Sequence, residues 1–230
     1  MTISNLVDRL EQDKPSLHRF DGQSYNWQLV PDALRWIQDN VSASSYSLET
    51  GCGYSSIIFA ACQSNHIVIS PSAEEHSNIK IWCDDHGFST EKVQFIKDYS
   101  QFALPNLKIA DSNLLDVVLI DGAHAFPFPY IDWFYTDKIL KKNGFMVIDD
   151  THLRSIYLLE EFLESEKGRW RKVKKTGTTA IFQKLCVSSF AEGDWESQTF
   201  SRKLETPVSL SKRFKNKIAR LKNVFTNSPS

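Results

Sequence analysis

Two continuous apolar runs ending in acids, "DVVLID" (116–121) and "GFMVIDD" (144–150), limit the fold of this chain more than anything else in it. A strand with one face in water alternates apolar and polar side chains, whereas a run without alternation is buried on both faces. Three more β-rich runs precede them: "SYSLE" (45–49), "HIVIS" (66–70) and "VQFIK" (93–97). The first leads into the helix-like "YSSIIFAACQ". The second leads into "SAEEHSNIKIWCDDHG", which ends near Gly87, a common helix stop. Buried strands separated by helices need crossover connections, so the expected fold class is α/β, a doubly wound and mainly parallel sheet. "WRKVKKTGTTAIFQKL" (170–185) differs, because two strand-like runs flank a turn at 175–178. It predicts an antiparallel terminal hairpin closing one sheet edge. Upstream, "WQLVPDALRWIQDNV" reads as an amphipathic helix with Pro31 and Asp32 in its first turn.

The charge is unevenly distributed. From Arg202 onward there are eight basic residues and one acid, so of 27 basic and 28 acidic residues the first 201 positions hold 19 and 27. Leu210, Phe214, Ile218, Leu221 and Phe225 recur at helical spacing among those bases, which predicts a basic amphipathic C-terminal helix. It reads as docked on the domain or as a contact for a protein or a membrane surface. The expected organisation is an N-terminal segment over 1–27, a core domain over 28–186 and a polar linker with the basic helix over 187–230. The polar aromatic stretch 18–27 reads equally as a lid or as a connection. Cys52, Cys62, Cys83 and Cys186 have no metal-finger spacing, and no apolar run approaches the ~20 residues of a membrane span. The N-terminus has no signal-like apolar core, so a cytoplasmic location is expected. The acidic core carries no basic, aromatic-interleaved patch, and no nucleic-acid partner is expected.

"SLETGCGYSS" (47–56) places Glu49, Gly51 and Gly53 together at a predicted strand end. Ligands of doubly wound sheets bind outside the carboxyl ends of the strands. A dinucleotide fingerprint would need a third glycine where Ser56 stands, and Glu49 would repel a pyrophosphate, which disfavours a dehydrogenase. "LETGCGYSS" resembles the E-x-G-x-G motif of class I S-adenosylmethionine-dependent methyltransferases. "VVLIDGAHAFPFPYIDWFYTDKILKKNGFMVIDDTH" is similar to the later part of that fold in its small-molecule O-methyltransferase branch.

The resemblance implies S-adenosylmethionine as methyl donor and a small molecule or sugar derivative as acceptor. It places Glu49, Gly51 and Gly53 at the cofactor's methionine end, Ser100 (or Asp98) near its adenine, and Asp121 at the active-site face. Where the family usually has a ribose-binding acid, this chain has Ser70. Ser70 or Ser72 would give a neutral hydrogen bond there, with Glu74 or Glu75 reaching back from the helix start. That departure also suits a catalytically inactive scaffold acting through the basic tail.

Asp121, Asp149 and Asp150 are predicted at neighbouring strand ends, where carboxylates suit Mg²⁺; equally, Asp149 and Asp150 read as caps of the next helix. His124, three residues after Asp121, is the candidate general base, with His152 second. Phe126 and Phe128 read as helix packing or as a substrate wall. His18, His66, His76 and His86 lack such a setting and are expected at the surface or in packing.

Overall fold

The computed structural model describes residues 3–20, 23–25, 28–187 and 195–201. The chain divides into two units, Met1–Gly193 and Asp194–Ser230. The first opens with helix α1 (Leu6–Asp13), a small hairpin of β1 (His18–Phe20) and β2 (Gln23–Tyr25), and helix α2 (Pro31–Asn40). Then follow β3 (Tyr46–Thr50), α3 (Tyr54–Ala61), β4 (Asn65–Ile69), α4 (Ala73–Asp85), β5 (Val93–Ile96) and the single turn α5 (Ser100–Ala103). The remainder is β6 (Leu115–Ile120), α6 (Phe128–Ile139), β7 (Leu140–Ile148), α7 (Arg154–Ser165), β8 (Trp170–Thr176) and β9 (Thr179–Lys184). In the second unit the described residues include a 3₁₀ turn, Trp195–Ser197. The expected helix at 210–225 lies outside the described residues.

The seven-stranded sheet runs β5-β4-β3-β6-β7-β9-β8. Strands β5, β4, β3, β6 and β7 are parallel, and β9 pairs antiparallel with both β7 and β8. The order reverses between β3 and β6, the switch that opens a crevice at the carboxyl ends of the strands. Each face is covered by its own apolar layer. Leu34, Ile37, Ile57, Phe59 and Ile79 from α2, α3 and α4 pack on one. Trp133, Ile156, Leu159 and Leu163 from α6 and α7 pack on the other. Burying each such aliphatic side chain contributes about 1.5–3 kcal/mol, which is why the strands read as unbroken apolar runs.

Some elements differ from the sequence reading. Leu6, Val7, Leu10 and Leu17 are buried in the first apolar layer, so α1, within the segment 1–27 that the sequence sets apart from the core domain, packs into that core. Strand β7 begins at Leu140, with a register shift between Leu115 and Val117 of its partner β6 that carries the polar residues Lys141–Asn143. Helix α7 starts only at Arg154 with Leu153 as N-cap, so neither Asp149 nor Asp150 caps it.

Candidate active site

A cavity of about 800 Å³ lies at the carboxyl ends of the parallel strands. Its floor is made where the turns after β3 and β6 touch. Gly51 has φ +87°, and its N–H donates to the Ile69 carbonyl at 2.9 Å. A Cβ on Gly51 would stand 2.2 Å from the Asp121 carbonyl oxygen. That contact explains why glycine occupies the position: both the left-handed backbone and the close approach demand it. Gly53 is the buried N-cap of α3, with its N–H donating to Ser56 Oγ at 3.1 Å, and it does not line the cavity.

Glu49 is not in the cavity wall either. It is 1% exposed. Its Oε2 accepts from the Ser55 hydroxyl at 2.5 Å, its Oε1 accepts from the Ser56 hydroxyl, and His66 Nε2 lies 3.1 Å away. His66 in turn has Nδ1 2.8 Å from Ser47 Oγ and stacks on Phe59 with centroids 4.0 Å apart. Glu49 therefore anchors the first turn of α3 beneath the glycine turn instead of facing a ligand.

At the end of β4, Ser70 lines the cavity and Ser72 does not. Ser72 is the N-cap of α4, its hydroxyl accepting from the Glu75 N–H at 3.2 Å. The acid at this end is Glu75, which does line the cavity. Its Oε2 accepts from Ser70 Oγ at 3.2 Å and Cys52 Sγ at 3.3 Å, and His18 Nδ1 lies 2.9 Å from Oε1. Partial burial pushes this carboxyl up, but the bonds from His18, Cys52 and Ser70 outweigh it and hold it below the ordinary value. Burial, meanwhile, pushes the Cys52 thiol well above its usual value. Ser100 opens α5 and lines the cavity, as do Tyr99 and Gln101. Asp98 turns back to accept from the Tyr99 N–H at 2.8 Å.

On the β6–β7 side, Asp121, His124 and Asp150 each offer a ligand atom, all within 4.8 Å of one another. His124 Nε2 is 3.2 Å from Asp150 Oδ2 and 3.8 Å from Asp121 Oδ1. Burial, with Asp149 and Asp150 nearby, raises the Asp121 carboxyl to about 7 despite the opposing pull of His124. Its pairing with Asp121, helped by Asp150 and working against burial, raises the His124 imidazole. Asp150 has φ +54° and also faces His152 Nδ1 at 3.5 Å. Asp149, expected alongside these two aspartates, lines the cavity but commits Oδ1 to the hydroxyls of Thr178 (3.1 Å) and Thr179 (2.5 Å) in the β8–β9 turn. The convergent triad is thus Asp121, His124 and Asp150. Phe126 is 73% exposed and meets Tyr130 edge-on, outside the cavity wall, while Phe128 starts α6.

His18 and Gln28 also line the cavity, from the N-terminal hairpin and the approach to α2. His18 had been expected at the surface or in packing. It is 6% exposed and paired with Glu75 from 57 residues away. No local pattern around "LHRF" signals such a pairing.

Residues 48–151 match a family model described as a methyltransferase domain (Methyltransf_24). No curated protein matches the chain. Among solved structures, a protein from Staphylococcus aureus provisionally named a caffeoyl-CoA O-methyltransferase is 17% identical, with TM-score 0.58, over 80% of this chain and 92% of the other. The O-methyltransferase TomG from Streptomyces achromogenes, solved with S-adenosylmethionine and involved in tomaymycin synthesis, is 15% identical, with TM-score 0.56, over 80% and 89%. An rRNA methylase from Streptococcus thermophilus is 10% identical, with TM-score 0.54, over 71% and 100%. At these identities the structural likeness is one of fold, and residues 48–151 are the part of the chain that is similar to a methyltransferase domain.

Proposed function

We propose that this protein transfers the methyl group of S-adenosylmethionine to an oxygen of a small-molecule acceptor, such as a sugar derivative. The observation that carries this reading is the convergence of Asp121, His124 and Asp150 beside the Gly51 turn in one cavity. Gly51 leaves room for the methionine end of the cofactor, and Ser100 stands at the adenine side. Glu75 replaces the acid missing at Ser70 and accepts from the ribose hydroxyls. Its ionised form makes the stronger, charge-assisted bond.

When bound, S-adenosylmethionine supplies an electrophilic methyl on a sulfonium. The chain's own work is to align the acceptor oxygen in line with that methyl and to take the hydroxyl proton. His124 takes it at the imidazole, with Asp121 and Asp150 stabilising the resulting cation. The carbon–oxygen bond forms as the carbon–sulfur bond breaks, and the sulfur keeps the electron pair. In place of the imidazole acting as base, a divalent cation suits the same donor set. Asp121, His124 and Asp150 would hold it, and it would lower the pKa of the acceptor hydroxyl.

A small acceptor is favoured over RNA because the cavity lining includes Glu75, Asp121, Asp149 and Asp150 and no lysine or arginine among the described residues. Calorimetric titration of S-adenosylmethionine and S-adenosylhomocysteine, with and without Mg²⁺ or Mn²⁺, tests the cofactor. Labelled methyl transfer to a panel of polyols and phenols then tests the acceptor. His124→Ala is expected to lower turnover about 10²–10⁴-fold with cofactor affinity retained. Absence of binding at millimolar cofactor overturns the proposal and leaves the scaffold reading.

A further inference from the structure

Helix α4 holds the N-terminal part of the chain through two side chains on one of its faces. Asn78 Nδ2 donates to the Leu17 carbonyl at 3.0 Å, and Glu75 Oε1 lies 2.9 Å from His18 Nδ1. Residues three apart share a helix face, so α4 grips the backbone of one residue and the side chain of the next. The Tyr54 hydroxyl of α3 donates to the Pro15 carbonyl at 3.4 Å, and Leu17 is buried in the first apolar layer. His18 is thus fixed through its neighbours as well as through its ring. It is 6% exposed and, like Glu75, lines the cavity.

The last torsion of a glutamate is soft, so the plane of its carboxylate is set by its partners. Ser70 and Cys52 both donate to Oε2, at 3.2 and 3.3 Å, and His18 meets Oε1. A carboxylate has about four acceptor positions, about two on each oxygen. Those on Oε2 are taken, and the position left open is on Oε1, the oxygen that His18 also binds. An ionised carboxyl only accepts, so Nδ1 carries the hydrogen of this bond. The His18 contact is the shortest of the three, and a thiol is a weak donor beside it.

We propose that His18 is a positioning residue for the cofactor's ribose, donating from Nδ1 to Glu75 and holding Oε1 in the orientation that receives the ribose hydroxyls. This role rests on the reading of the cavity as an S-adenosylmethionine site. His18 lies outside residues 48–151, the part similar to a methyltransferase domain, so a side chain from the N-terminal hairpin completes the ribose subsite. A residue that merely latches the N-terminal segment onto α4 would behave differently. Its loss would weaken every ligand alike, whereas loss of a positioning residue weakens those that carry the ribose diol.

The test uses the full-length chain, with S-adenosylhomocysteine and its 2′,3′-dideoxy analogue titrated by calorimetry and folding followed by circular dichroism. His18→Phe keeps a buried planar ring and removes the donor. It is expected to lower the preference for the diol-bearing ligand at least about threefold, with affinity for the dideoxy analogue within about twofold of wild type. His18→Asn, whose amide N–H stands close to the place of Nδ1, is expected to restore most of that preference. In a Glu75→Gln background, His18→Phe is expected to change affinity by less than about twofold. An unchanged preference in His18→Phe, an equal loss for both ligands, a loss in His18→Asn as large as in His18→Phe, or additivity with Glu75→Gln each overturns the proposal. Equal binding of the two ligands by the wild type overturns it as well. The histidine side-chain nitrogen spectrum of the free protein needs no ligand. A protonated Nδ1 on His18 supports the proposal, and an unprotonated Nδ1 overturns it. Failure of the wild type to bind S-adenosylhomocysteine is separate, since it refutes the methyltransferase reading while the nitrogen spectrum still decides whether His18 donates to Glu75.

Discussion

Gly51→Ala is the sharpest test of how the pocket floor is built. The glycine has φ +87°, and an L-residue in left-handed backbone costs about 1–2 kcal/mol. The added Cβ would stand 2.2 Å from the Asp121 carbonyl oxygen and 2.9 Å from its carbon. Those are backbone atoms, held in place because the Asp121 N–H donates to the Thr50 carbonyl at 3.1 Å, so no side-chain rotation relieves the overlap. The two turns must part, and overpacking of this kind adds about 1–3 kcal/mol. The total of about 2–5 kcal/mol is a large share of a typical stability of about 5–15 kcal/mol. Urea denaturation should show the loss directly. At about 2–4 °C per kcal/mol, the melting temperature should fall by about 4–20 °C. Because parting the turns displaces Asp121, S-adenosylhomocysteine affinity should fall at least about tenfold, a change of about 1.4 kcal/mol. A stability change under about 0.5 kcal/mol with unchanged affinity would refute the reasoning, since that is the range of a substitution touching nothing.

Glu75→Gln should weaken S-adenosylhomocysteine binding by about 10–100-fold in calorimetry, the loss expected for charge-assisted hydrogen bonds, whereas Ser70→Ala should cost about threefold or less. Asp121→Asn should abolish turnover yet raise the melting temperature at pH 8. With a folded pKa of about 7 against an ordinary 3.8, the native carboxyl binds protons that the unfolded chain releases. Its cost therefore builds as pH rises from the unfolded value and is complete above the folded one, so the stabilisation should be larger at pH 8 than at pH 5 in paired thermal melts. Lys184→Ala should destabilise by about 3–5 kcal/mol in urea, because Lys184 and Asp137 are both buried, with Nζ 3.1 Å from Oδ1, and truncation leaves a buried charge without that partner. A loss below about 1 kcal/mol would mean that the pair is hydrated like a surface bridge.

Local rules carried the fold far. Continuous apolar runs at 116–120 and 144–148 can be buried only between two helical layers, and Gly87 and the Gly177 turn punctuate the chain as their φ of +76° and +53° require. The place of Gly51, Asp121 and His124 in the cavity lining was equally legible, since each sits at or just beyond a strand end and the sheet brings strand ends together. Local pattern could not tell which side chains turn toward the cavity. Glu49 points into the α3 anchor because Ser55, Ser56 and His66 satisfy it there. Asp149 is drawn to Thr178 and Thr179, whose turn comes from β8 and β9 far along the chain. His18 and Glu75 meet across 57 residues. Strand and helix periodicity is written in neighbours a few residues apart, so the sequence alone determined the α/β layers and the edge at which the crevice opens. Hydrogen-bond partners are chosen by proximity in space, so only the tertiary structure decided which acids line the cavity and which hold the frame.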